Sequence, residues 1–345
     1  MERITFPFLK SEANMNNNQY EYITEAINVE DMVIISDDFA IGSSYSNKST
    51  PTGLYLFNTV LKTHESINLQ DVEIKHDILN YPDATPLPDL NLMSTHGLDY
   101  DQHSHKLYVI NHGHRESVEI FDVSLLNGKP SLSWVGCIIA PPGAELDAVS
   151  SLNDNGIVAT NIWNKHDEEK RNKLINNKPG GEILKWSQKE GWRKIEGIDF
   201  ISAPNGILSS NNGETIYSAI WGGGYILKIK CQDNIATSTK KLQLEFHPDN
   251  IKWSKNKDNI VVCGQKMPMK DLLTAIELLP DYEIPFQVDI VDTSLLTKKT
   301  IISDKIYNSF CSATGAIEIN NEYWLTSFRC KKIAIYKKDD LNNSN

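Results

Sequence analysis

Phe246-His247-Pro248-Asp249-Asn250-Ile251-Lys252-Trp253 sets a carboxylate and an amide side by side at the start of an alternating run that reads as a β-strand. It is one of six comparable strand starts. The others are Glu30-Asp31-Met32-Val33-Ile34, His96-Gly97-Leu98-Asp99-Tyr100, Leu146-Asp147-Ala148-Val149-Ser150, Asn205-Gly206-Ile207-Leu208-Ser209 and Ala313-Thr314-Gly315-Ala316-Ile317. Polar character gives way to apolar in each.

A second strand follows each start, over 37–44, 106–111, 156–162, 215–221, 259–264 and 322–328. Third strands follow over 53–57, 117–121, 182–186, 225–229, 286–290 and 332–336, and they share a period of two, from Gly-Leu-Tyr-Leu-Phe in the first to Lys-Ile-Ala-Ile-Tyr in the last. Fourth strands are present in five units, as at 131–139, 191–197 and 238–246. The last unit lacks one, and 20–27 can supply it.

Repeats of about four strands, recurring every roughly 40 to 65 residues, bury their faces by packing radially on one another. The expectation is an all-β fold, a six-bladed β-propeller closed by an N-terminal strand. One domain spans 20–338, preceded by an extension over 1–19 and followed by a tail over 339–345. All-β folds of 345 residues in one domain are ordinary.

A net charge of -11 and a sequence pI near 5.3 disfavour nucleic acid and anionic membrane surfaces as partners and favour a cation. Mean hydropathy of -0.37 is that of a soluble globular chain. The first 18 residues show no apolar signal-peptide core, which makes cytoplasmic the expected location. Cys137, Cys231, Cys263, Cys311 and Cys330 form no C-x-x-C pair, so zinc-ribbon and dithiol chemistry are excluded and buried apolar roles are expected.

Topology directs the residues. If each innermost strand starts on one face, called upper here, the loop between second and third strands returns to that face. Two long insertions fall in such loops, at 163–180 and 266–285. Met269, Leu272, Leu273, Ile276 and Leu279 have helical spacing, so a short amphipathic helix can lie over the central opening.

The upper ends of the inner strands converge, bringing Glu30, Asn205, Asp249 and Asn250 to one place. Carboxylate and amide oxygens without sulfur or imidazole make a hard set suited to Ca²⁺. Turn chemistry explains any one of these residues alone; recurrence at one register points to a site. His96 starts the second unit and His112 ends its second strand, so both imidazoles face that opening.

These residues resemble the paraoxonase family of calcium-dependent lactonases and arylesterases, within the wider gluconolactonase and regucalcin-like six-bladed propellers. The resemblance covers most of the chain and is carried by Val29-Glu30-Asp31, His96-Gly97-Leu98, Val109-Ile110-Asn111-His112, Ser117-Val118-Glu119-Ile120-Phe121, Leu146-Asp147-Ala148-Val149, Pro204-Asn205-Gly206-Ile207 and Pro248-Asp249-Asn250-Ile251. It implies Glu30, Asn205, Asp249 and Asn250 as ligands of a catalytic calcium. Asp31, Asp147 and the backbone carbonyl of Leu98 are implied as ligands of a second, structural calcium, and His96 with His112 as the catalytic histidine pair. Leu146 stands where the family places a ligand asparagine, which leaves that position to water or to Glu145. The implied activity is hydrolysis of a small lactone or aryl ester, with His96 activating water and His112 orienting it. Two other readings stand beside it: a non-enzymatic, calcium-stabilised binding platform, and a metal-free propeller like strictosidine synthase, which leaves the four oxygen-bearing residues without a shared purpose.

Overall fold

Alternating apolar residues pair into six sheets among the described residues, and the sheets surround one axis as the blades of a propeller. The computed structural model describes residues 20–46, 52–84, 86–279, 282–303, 310 and 312–338. The extension over 1–19, the tail over 339–345 and Cys311 lie outside the described residues.

Innermost strands run Val29–Ser36, Thr95–Asp101, Ala144–Ser151, Pro204–Ser209, His247–Trp253 and Ala313–Ile319, in the order of the six blades. The last blade is completed by Tyr20–Thr24, antiparallel to Lys332–Lys337 with Tyr20 opposite Tyr336 and Thr24 opposite Lys332. The strands at 20–24 and 332–337 thereby share one sheet, as expected from the missing fourth strand. The second blade gains a short fifth strand, Glu73–Ile74, parallel to Lys129–Ile139, which its two exposed residues do not announce.

Apolar side chains fill the gaps between blades, with Trp134, Trp324, Tyr108, Phe57 and Phe121 fully enclosed. Cys137, Cys263 and Cys330 are buried and Cys231 half-buried. No helix among the described residues is long and apolar enough to cross a membrane.

All six innermost strands break register near their upper ends. The shifts fall between Val29 and Met32, Thr95 and Leu98, Leu146 and Val149, Pro204 and Ile207, Pro248 and Ile251, and Ala313 and Gly315. A bulge of this kind releases residues from the ladder and re-aims their side chains. The released residues are Glu30-Asp31, His96-Gly97, Asp147-Ala148, Asn205-Gly206, Asp249-Asn250 and Thr314, which is nearly the whole predicted site. Crowding at the axis requires the glycines: a Cβ on Gly97 would stand 2.3 Å from the Asp147 carbonyl oxygen, and one on Gly206 2.6 Å from that of Asp249.

The two insertions cap the upper face. Helix α1, Lys170–Ile175, interrupts what the sequence suggests is plain loop, and helix α2, Met269–Leu278, forms where the apolar spacing places it. Leu174 of α1 shares an apolar cluster with Met269, Leu272 and Leu273 of α2 and with Trp221 beneath. Arg329 donates to the carbonyls of Ala275, Ile276 and Leu279, placing a cation at the negative end of α2.

Candidate active site

Below the cap lies a cavity of about 310 Å³, lined by one residue from each bulge: Glu30, His96, Asp147, Asn205, Asp249 and Thr314. A second ring comes from the ends of the second strands, where Tyr45, His112, Trp163, Trp221, Gln265 and Phe328 line the same cavity. From this outer ring the sequence singles out His112 as a site residue and makes the loops beginning at Trp163 and Trp221 expected cavity walls. Tyr45, Gln265 and Phe328 follow from the same rule, since each second strand returns to the upper face.

Glu30 anchors the inner ring. Its backbone carbonyl accepts from Thr314 Oγ1 at 2.7 Å and Thr326 Oγ1 at 2.8 Å, while its Oε1 accepts from the Asn250 amide. Three blades are tied at that point. Glu30 Oε2 and Asn205 Oδ1 are buried and have no hydrogen-bond donor. Two such acceptors on the wall of one cavity fit a missing positive partner.

Electrostatics agree. Burial first, and then Asp31, Asp249 and Asp147, push the Glu30 carboxyl well above the usual carboxylate range. Asp147 is raised well above its ordinary value by burial and by Asp249, Glu145 and Asp31. Asp249 is raised to about 7, mainly by burial, against the hydrogen bonds it accepts from Gln265 and Asn205. A cation among these oxygens would relieve all three. Among the described residues no three histidine, cysteine or acidic side chains are grouped tightly enough to hold an ion, so a cation here rests on the mixed carboxylate and amide set with water.

Gln265 was not foreseen. Its Nε2 donates to Asp249 Oδ2 at 2.6 Å and to the Ala313 carbonyl at 3.1 Å, and its Oε1 accepts from Trp221 Nε1 at 2.8 Å. It fixes the Asp249 carboxylate and one cavity wall together.

Glu116 was also missed. It accepts from His112 Nδ1 at 3.0 Å, and His112 Nε2 lies 2.9 Å from His96 Nδ1. The tautomers follow from these partners: His112 donates from Nδ1 to the carboxylate, accepts at Nε2 from His96 Nδ1–H, and leaves the His96 Nε2 lone pair free. That nitrogen stands 3.8 Å from Glu30 Oε2. Burial and the neighbouring His112 hold the His96 pKa well below its ordinary value, so the imidazole is neutral at neutral pH. Tyr45 stacks on it with ring centroids 4.5 Å apart, and the Leu146 N–H donates to Glu116 at 2.8 Å, fixing the far end of the chain.

Leu146 is fully buried and gives the wall an apolar surface. Glu145 also lines the cavity, where its carboxylate accepts from Trp163 Nε1 at 2.7 Å and faces Lys170 at 3.9 Å. Asp31 and Leu98 lie off the cavity. Asp31 Oδ2 accepts from the Leu98 N–H at 2.8 Å and from Lys252 Nζ at 2.8 Å, and Lys252 Nζ also donates to the Leu98 carbonyl at 3.0 Å. The oxygens of Asp31 and Leu98 therefore already face a positive charge, whereas Asp147 opens on the cavity with Glu30 and Asp249.

No family model matches this chain, and no curated protein matches it in sequence. Similar solved structures include a luciferin-regenerating enzyme, with a TM-score of 0.55 at 9% identity over 92% of this chain and 94% of that one. A candidate gluconolactonase has a TM-score of 0.54 at 10% identity, covering 92% of each chain. At such identity the likeness is one of architecture, and the chain is an all-β six-bladed propeller.

Proposed function

We propose that this chain is a paraoxonase-like, calcium-dependent hydrolase of lactones or aryl esters. One observation carries the reading: Glu30 Oε2 and Asn205 Oδ1, buried without donors, line the same cavity as a histidine whose Nε2 is left free. Glu30, Asn205 and Asp249 would hold the ion, with Asn250 joining once its amide turns its oxygen inward. When bound, calcium supplies Lewis-acid polarisation of the substrate carbonyl and balances the buried negative charge. Similarity to propellers described as a luciferin-regenerating enzyme and a candidate gluconolactonase agrees with a small-molecule substrate.

The protein's own groups do the rest. His96 Nε2 takes a proton from water. Positive charge then developing on His96 is stabilised by Glu30 at 3.8 Å and, through His112, by Glu116. Trp163, Trp221, Leu273, Ile276 and Phe328 give the cavity an apolar wall that suits the hydrocarbon part of an ester and excludes bulk water.

A second reading, a calcium-stabilised platform without turnover, is favoured by Leu146, which removes one oxygen ligand from the wall. A panel of small lactones and aryl esters separates the two. The hydrolase reading expects turnover by the wild-type protein and a loss of about 10²- to 10⁴-fold in kcat for His96→Gln, with calcium binding retained. Absence of turnover by folded, calcium-loaded protein on every substrate would leave the platform.

A further inference from the structure

Lys252 sits two residues beyond Asn250 on the innermost strand of the fifth blade, and its ammonium crosses the axis to two other blades. It donates to Asp31 Oδ2 at 2.8 Å and to the Leu98 carbonyl at 3.0 Å, residues 221 and 154 positions away in sequence. The pair is nearly dry, with Asp31 and Lys252 side chains 2% and 14% exposed. Asp99, which accepts from Ser151, feels the same positive charge.

A carboxylate and a backbone carbonyl, both hard oxygens from separate inner strands, thus converge on one cation supplied by the chain itself. The contrast with the cavity above is direct. There Glu30 Oε2 and Asn205 Oδ1 lack any donor, while here both oxygens have one. An ammonium has three donors and no acceptor, so it can serve carboxylate and carbonyl together as a metal ion would, without ever dissociating.

We propose that Lys252 is the resident cation of the inner site, taking the place of a second divalent ion, so that the protein binds at most one. The two inner-site oxygens are then neutralised by a covalently tethered charge, and only the cavity above exchanges ions with solvent. This stands on the geometry around Lys252 and not on the hydrolase reading.

The experiment counts calcium bound per chain by elemental analysis after equilibrium dialysis, in wild type and in Lys252→Ser, each shown folded by circular dichroism. Lys252→Ser removes the ammonium from both oxygens, leaving Asp31 Oδ2 only the Leu98 N–H, and opens space between them, so it is expected to bind one equivalent more than wild type. The added equivalent should vanish in a Lys252→Ser, Asp31→Asn double variant. Equal counts in wild type and Lys252→Ser, or two equivalents in wild type, overturn the proposal. A wild-type count of zero with one in Lys252→Ser supports it while removing the catalytic ion from the proposed function. Should Lys252→Ser fail to fold even in calcium, terbium titration of the wild-type protein still decides: saturation by one equivalent or fewer agrees, and a second equivalent contradicts.

Discussion

Glu116 accepts the Nδ1–H of His112 at 3.0 Å, and this hydrogen bond sets the direction of every donor up to His96 Nε2. Replacing Glu116 with Gln keeps the shape but offers the imidazole an amide that can equally donate, so His112 loses its fixed tautomer. Loss of such a supporting partner commonly lowers activity by about 10- to 100-fold. The fall is expected in kcat, with KM nearly unchanged and the alkaline plateau of the pH profile lowered. Unchanged kcat would remove Glu116 from the proton path.

Metal removal should make stability depend on pH. Burial lifts Asp249 to about 7 and pushes Glu30 and Asp147 well up, whereas carboxylates in the unfolded chain titrate near 4. Between roughly pH 4 and 7 the ion-free folded chain holds protons that the unfolded chain has released. Its stability therefore falls as pH rises through that window. Thermal melts in chelator are expected to give a lower Tm at pH 8 than at pH 5, and calcium to narrow the gap. A flat profile in chelator would show that burial does not raise these carboxylates as described.

Gln265 satisfies Asp249 Oδ2 and Trp221 Nε1 at once. Gln265→Leu strands both polar atoms in the interior, at about 1–3 kcal/mol each. The measurement is a denaturant melt, with a midpoint decrease expected at unchanged slope; calcium affinity should fall as well. A neutral substitution would show that water replaces the side chain.

Gly97→Ala tests the crowding at the axis. The added Cβ would meet the Asp147 carbonyl oxygen at 2.3 Å, a contact relieved only by moving one inner strand from another. Overpacking of this kind costs about 1–3 kcal/mol, read as a lower Tm. Because the movement shifts His96 and Asp147 together, activity should fall more steeply than stability. Wild-type Tm and activity would contradict the close approach.

Period-two alternation made the six blades legible, because each strand buries one face and a shift by one residue would invert it. Ring closure was legible too, from a last unit lacking its fourth strand. The bulges were not. They are defined by how two strands register, and nothing in Asp249-Asn250 alone distinguishes a bulge from a turn. Glu116 and Gln265 read as isolated polar residues near strand ends, and their roles emerge only once six such ends meet. Lys252 reads as an outward polar position of an alternating strand; that it reaches Asp31 and Leu98 depends on the ring being closed. Helix α1 is short and mostly polar, without the apolar spacing that revealed α2.

The proposed hydrolase works through a calcium bound in the oxygen-lined cavity beside His96. Its most direct test is hydrolysis of a lactone by purified protein, first in calcium, then after chelation, then with calcium restored. Turnover is expected to be abolished by chelation and recovered on adding the ion, with circular dichroism showing a folded protein throughout. Turnover that persists at full rate in chelator, from protein verified to be calcium-free, would contradict it.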